Sequence, residues 1–313
     1  SACSTGSLSS AGSGGDATTG ATDSQVTTGT VGVQGDIQDI SNFCGDKDIT
    51  VALADGFGGN SWRKITRAIF EAEAAKCDNI TDILYTDAQA DTQKAISDIN
   101  SLVAQGVNVI VSFTDGGEAL LPTIRQATAA GTKFVPIIAC PGGEPGVDYV
   151  DCVSENVDTY GYGLAKWTVE QMGGEGNLIM TGGQAGNPYS AAVYAGVKRA
   201  VEENPGVTLL NEEMGDVPVD TGWEPGKTKQ VMAGLITKYG EIDGVVADYG
   251  GGFGGGVQAV VEAGKPPPRR AAHDSNQLAR PWSPYKDSQP TLPITTMSSP
   301  TTVPPAPLPN SIA

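Results

Sequence analysis

Histidine is nearly absent: His273 supplies the one imidazole in 313 residues. The five cysteines show no C-x-x-C spacing. A zinc site and a Cys/His catalytic pair are therefore not expected. Basic residues are few, 19 Lys and Arg against 36 Asp and Glu, for a net charge of −17. That excludes a nucleic-acid partner, which needs clustered Lys and Arg to neutralise phosphates, and it disfavours an anionic lipid surface. Aromatics make up only 6% of the chain. No apolar run approaches the ~20 residues of a membrane-spanning helix. The G-x-S-x-G elbow, the Walker pattern and H-E-x-x-H are all missing. Glu202-Glu203 and Glu212-Glu213 are adjacent pairs, which point to different sides of a helix and read as solvated surface rather than as an acid/base pair. Residues 1–43 carry no helix-turn-helix pattern. Neither enzymatic chemistry nor a cofactor is expected.

What the chain does have is glycine, 42 residues of it, and a Ser/Thr/Gly/Asp-rich opening stretch of about 43 residues. Such a stretch buries too little apolar surface to order itself. Ser1-Ala2-Cys3 resembles the end of a bacterial lipobox. On that reading Cys3 carries a lipid that ties an exported protein to a membrane, with residues 1–43 as a flexible tether. Two local disulfides, Cys44–Cys77 and Cys140–Cys152, account for the other four thiols, and disulfides fit an extracytoplasmic protein.

From Asp48 onward, short apolar runs alternate with helical periodicity. Strands are expected at 49–54, 83–85, 107–113, 134–139, 177–181, 207–211 and 245–248. Helices are expected at 62–76, with Ile65, Ala68, Ile69 and Ala72 as its apolar face, and at 92–104, 120–130, 159–172, 190–203, 227–239 and 257–263. Strands alternating with amphipathic helices imply parallel sheets built from βαβ units. Two runs of them, broken near 140–156, imply two similar α/β lobes. Beyond Pro266 proline becomes too dense to continue the pattern.

In parallel α/β sheets, ligands gather outside the carboxyl ends of the strands. Asn60, Trp62 and Arg63 follow the first strand, and Asp115 follows the third. Asn187 and Tyr189 follow the strand ending at Thr181. Trp223 precedes the next helix, and Asp248-Tyr249 closes another strand. Flat rings stack on sugar faces while amides and carboxylates take hydroxyls. Taken singly, each residue is also a plausible cap or packing residue, and for Asp115 a helix cap is the expected role. Gly250–Gly256 satisfies G-x-G-x-x-G after a strand, with Asp274 about 20 residues on. Six glycines in seven residues satisfy almost any glycine pattern, so the run reads as a ligand-adjacent loop of close backbone approach, with dinucleotide binding as the lesser reading.

With these residues assembled, the chain resembles the type I periplasmic sugar-binding proteins, the ribose-binding-like solute receptors of ABC importers. The markers are Ile49–Ala54 followed by Asn60-Ser-Trp, Ser112-Phe-Thr-Asp115, and Val153-Ser-Glu-Asn156. Further markers are Gly186-Asn-Pro-Tyr-Ser190 leading to Ala195-Gly196-Val197, then Val245-Val-Ala-Asp-Tyr249, and Asp274. The resemblance implies two Rossmann-like domains with parallel sheets joined by a hinge, closing over one solute. The lobes would comprise 44–153 plus about 276–313, and 154–275. It implies polar and aromatic contacts from Asn60 and Trp62, stacking by Trp223, and a hydroxyl-binding carboxylate at Asp274, with Tyr249 where sugar binders often carry Asn. Two departures argue against ribose. Ala139-Cys140-Pro141 stands where an Asp-Arg pair is expected, and an arginine before Ala195 is absent. The expected protein is a monomeric extracytoplasmic receptor that binds a neutral sugar or polyol and presents it to an ABC permease. The alternatives are a signalling receptor for a sugar-like autoinducer and, less favoured, a nucleotide-dependent enzyme using Gly250–Gly256.

Overall fold

The structure, a computed structural model, describes residues 43–272. Cys3, His273, Asp274, the stretch 1–42 and the Pro-rich stretch after Ala272 lie outside the described residues.

Two parallel sheets organise the chain. The first has strand order β2-β1-β3-β4, with β1 at Ile49–Asp55, β2 at Ile80–Asp87, β3 at Val109–Ser112 and β4 at Lys133–Pro136. Its helices are α1 (Ser61–Ala74), α2 (Thr92–Ala104) and α3 (Leu121–Ala129), the last preceded by a 3-10 turn at Gly117–Leu120. The second sheet has the order β6-β5-β8-β9, from β5 (Gly176–Gly182), β6 (Val207–Leu209), β8 (Gly244–Ala247) and β9 (Arg269–Ala272). The two-residue β7 (Val219–Asp220) pairs with β5. Its helices are α4 (Val157–Met172), α5 (Pro188–Glu202), α6 (Pro225–Tyr239) and α7 (Gly250–Glu262). Every pairing between these strands is parallel.

The apolar alternation has an evident destination. In the first lobe Ala52, Ala54, Ile110 and Phe134 of the sheet meet Ile99 and Leu102 of α2 and Ile124 of α3. In the second lobe one cluster joins Leu178, Met180 and Val246 to α4 and α5, and another joins Ile179, Val245 and Ala247 to α6 and α7. β1, β5 and β8 are buried at consecutive positions, on both faces, as central parallel strands require, whereas Val109 and Val111 of β3 are half-buried on the face away from Ile110. Cys44–Cys77 and Cys140–Cys152 are both bonded, with Cα atoms 5.3 and 5.9 Å apart. The first closes the β1–α1 unit and the second staples the loop after β4.

Three expectations are corrected. Ile65 and Ile69, assigned to the inward face of α1, are 59% and 56% exposed, and Ala68 and Ala72 are exposed too. The helix instead turns Arg63 inward, where it pairs with Asp55 and Asp115. Two buried charge-assisted bonds outweigh two isoleucines in setting the rotation. The strand expected at 207–211 ends at Leu209, because Asn211 uses its side-chain amide to bond both the N–H and the C=O of Met180. The chain there turns into a 3-10 segment instead of continuing the ladder.

The third correction concerns Gly250–Gly256, which is the first two turns of α7 and not a loop. Its close approach is to protein. A Cβ at Gly255 would overlap the carbonyl of Pro225, and one at Gly252 would lie 2.9 Å from the carbonyl of Trp223. The glycines seat α7 against α6 and the Trp223 loop. That packing explains the run, and no phosphate-binding turn is formed.

Candidate functional site

The strand order of each sheet reverses once, between β1 and β3 in the first and between β5 and β8 in the second. Crevices open outside the carboxyl ends of strands at such points. The two crevices face each other around a cavity of about 140 Å³.

The first lobe contributes Asn60, Trp62, Arg63 and Asp115 to its lining, and the second contributes Tyr189, Trp223, Asp248 and Tyr249. Ile138, Ala139 and Glu155, from the segment linking the sheets, complete it. Asn187, the remaining expected contact among the described residues, does not line the cavity. It is buried at the N-terminus of α5.

Asn60 sits at the cavity because it starts α1: its Oδ1 accepts from the Arg63 N–H at 2.9 Å, a standard N-cap. One turn on, the Arg63 guanidinium is held by Asp55 at 2.8 Å and Asp115 at 2.9 Å. It stacks over Phe113 at 3.8 Å and lies within 6 Å of the Trp62 and Trp223 ring centres. Such a desolvated cation among rings gains from their quadrupoles. Asp115 is thus not the helix cap expected of it. The N-cap of the 3-10 turn is Gly116, and no side chain caps that turn. Asp115 Oδ1 accepts from Arg63 and from Asn187 Nδ2. Burial pushes its carboxyl pKa up, against the pull of Arg63.

In the second lobe, Asp248 is buried just beyond β8. Its Oδ1 accepts from Trp223 Nε1 at 3.0 Å and its Oδ2 from Ser190 Oγ at 2.5 Å. Desolvation raises its pKa to about 7 even though those bonds oppose the rise. Tyr189 reaches Glu155 with its hydroxyl at 3.3 Å, and burial raises its pKa. Trp223 packs edge-on against Phe57 of the first lobe, 5.6 Å between ring centres. It also fills the space where a Cβ on Gly183 would be.

Five non-glycine residues among those described have φ in the left-handed region, and two of them, Ile138 (64°) and Trp223 (55°), line the cavity. A β-branched or bulky side chain there carries strain that the surroundings must hold in place. Ile138, Ala139 and Glu155 were not among the expected contacts. Position 139 drew notice only as a departure from the family's Asp-Arg pair, and Glu155 only as part of a motif. Among the described residues no group of three or more His, Cys, Asp or Glu converges to hold a metal ion, and no helix is long and apolar enough to cross a membrane.

A larger groove of about 400 Å³ lies at the opposite, amino end of β8 and β9, between Met172, Ile236, Asp243 and Arg269. Among the described residues no tryptophan or tyrosine lines it, and it lies at the opposite strand ends from the crevices at the strand-order reversals.

A family model described as a periplasmic binding protein domain matches residues 51–280. A xylitol-binding protein of Mycolicibacterium smegmatis is 25% identical over 192 residues, covering 61% of this chain and 52% of its own length. The D-xylose-binding periplasmic protein of Escherichia coli is 24% identical over 220 residues, covering 70% and 64%. This chain thus spans about half to two thirds of the length of these relatives. Among solved structures, an ABC transporter solute binding protein from Thermobispora bispora superposes with a TM-score of 0.64 at 25% identity, over 76% of this chain and 72% of that one. With a family match over most of its length and two parallel sheets facing one cavity, the chain belongs to the periplasmic binding proteins, in the type I fold.

Proposed function

We propose that this protein is an extracytoplasmic receptor that binds a neutral sugar or polyol between its lobes and delivers it to an ABC permease. The observation that carries the reading is the charge balance around Arg63. Among the described residues it is the one cation lining the cavity, and Asp55 and Asp115 already neutralise it. Asp248 and Glu155 remain as acceptors, and Asn60, Tyr189 and Tyr249 as polar partners. Such a wall suits hydroxyl donors and repels anions. Trp62 and Trp223 supply faces for ring or chain carbons. The sugar- and polyol-binding names of the relatives agree with this chemistry, and a binding role asks for no catalytic group.

On this reading the lobes comprise 44–153 with about 276–313, and 154–275, and a hinge lets them close on the solute, shifting an existing open–closed equilibrium. Asp274 joins the site, the protein acts as a monomer, and a lipid on Cys3 holds it at the membrane through the 1–43 tether.

Isothermal titration calorimetry with xylitol, D-xylose, L-arabinose and D-galactose, beside galacturonate and xylose 5-phosphate, tests the reading. Heat is expected from at least one neutral compound and from neither anion. Binding of the anions alone, or of none of the six, overturns it.

A further inference from the structure

Asn187 is 1% exposed and does not touch the cavity, yet every polar atom of its side chain is engaged. Oδ1 accepts from the N–H groups of Tyr189 at 2.9 Å and Ser190 at 3.2 Å, capping α5. Nδ2 donates to Asp115 Oδ1 at 2.8 Å. Asp115 belongs to the first lobe, just past β3, and Asn187 to the second, between β5 and α5. The bond therefore joins the lobes directly.

The two backbones also meet here. A Cβ at Gly117 would stand 3.6 Å from the Gly186 carbonyl oxygen and from the Pro188 ring. Across the cavity, Phe57 against Trp223 and Ser61 facing Tyr249 at 3.5 Å form the opposite rim of contact. The cavity lies between these two lines of contact. Among them, the Asn187–Asp115 bond is the one made to a buried carboxylate, and a hydrogen bond to a charged group is worth about twice a neutral one.

We propose that Asn187 is a closure latch. Through Asp115 it sets the fraction of ligand-free protein in the closed form, and so tunes affinity for every solute alike without contacting any. Affinity for a solute taken up by the closed form scales with the fraction already closed. A residue acting only on that fraction changes all affinities by one factor, whereas a solute contact changes their order. The consequence for affinity rests on the solute-binding reading above. So does the closure it acts on, whereas the bond itself joins two protein groups.

The test uses the full-length, ligand-free protein. Asn187→Asp keeps a capping oxygen for α5 but removes the Nδ2 donor and sets a carboxylate against Asp115. Asn187→Ser, also a capping residue, serves where repulsion prevents folding. The double variant Asn187→Asp/Asp115→Asn reverses donor and acceptor across the same gap. Small-angle X-ray scattering and acrylamide quenching of tryptophan report lobe separation. The single variants are expected to shift the equilibrium about ten- to hundredfold toward the open form, as loss of one hydrogen bond to a charged group implies. The radius of gyration and the quenching then rise, and the reversed pair restores part of the compaction. Scattering of the single variants equal to that of the unsubstituted protein overturns the proposal. So does a reversed pair that is as open as they are. Failure of unsubstituted protein to bind any sugar overturns the functional reading alone and leaves the scattering result standing.

Discussion

Trp223 Nε1 donates to Asp248 Oδ1 at 3.0 Å, and this bond holds a tryptophan whose backbone is in the left-handed region. Three restraints converge on the one ring: the Asp248 carboxylate, the edge of Phe57, and the bare Cα of Gly183. The first prediction addresses the third. Gly183→Ala places a Cβ inside the Trp223 indole. The ring must move, and the expected result is at least a tenfold loss of solute affinity with the fold retained. Near-ultraviolet circular dichroism reports the displaced tryptophan and calorimetry the affinity.

Asp248 makes stability depend on pH. Its folded pKa of about 7 stands above the ordinary carboxylate value. Between about pH 4 and 7 the folded protein therefore holds a proton that the unfolded chain has released. This group's contribution is full below the unfolded pKa and is lost as pH rises toward 7. Asp115, also raised by burial, acts with the same sign, so the effect is read as a difference. Urea midpoints measured at pH 4, 5.5 and 7.5 should fall less steeply in Asp248→Asn than in the unsubstituted protein.

Arg63 neutralises two buried carboxylates at once. Arg63→Met leaves both uncompensated and is expected to cost about 3–5 kcal/mol in urea unfolding. Arg63→Lys keeps the charge but not the planar fork that spans Asp55 and Asp115, nor the stacking on Phe113. It should fall between the two. Equal stability of all three proteins contradicts the central role given to this residue.

The Cys140–Cys152 bridge closes a short loop, with a sequence separation of 12. The loop also carries Asp148, which accepts two hydrogen bonds from Arg125 at 2.7 and 3.0 Å. Loop-closure entropy gives the bridge about 3 kcal/mol. The Cys140→Ser/Cys152→Ser variant is expected to lose about that much in denaturant unfolding, and to lose solute affinity as well, because Ile138 and Ala139 beside the bridge line the cavity.

The alternation of strands and helices was plain in the sequence, since burial on both faces of a parallel strand leaves a continuous apolar run at β1, β5 and β8. The places where aromatic and polar residues follow those strands were equally plain, and eight of them line the cavity. What the sequence hid depends on contacts distant along the chain. The helical apolar stripe of α1 points outward, because a buried ion pair 52 residues away in sequence sets its rotation. The glycines of α7 looked like a ligand loop because close approach to a neighbouring helix and to a phosphate demand the same missing Cβ. Asp115 read as a cap because nothing local announces Arg63 and Asn187 as its partners. Ile138 carried no local signal at all, since its partners lie across the loop: its N–H donates to the Val153 carbonyl at 2.8 Å and its carbonyl accepts from Ser154 Oγ at 2.9 Å.

The most direct measurement is a crystal structure of the protein grown with xylitol or D-xylose. The solute is expected between the lobes, its carbons against Trp62 and Trp223 and its hydroxyls on Asp248 and Glu155. Solute in the groove beside Met172 and Arg269, or an interlobe cavity left empty at saturating sugar, contradicts the account.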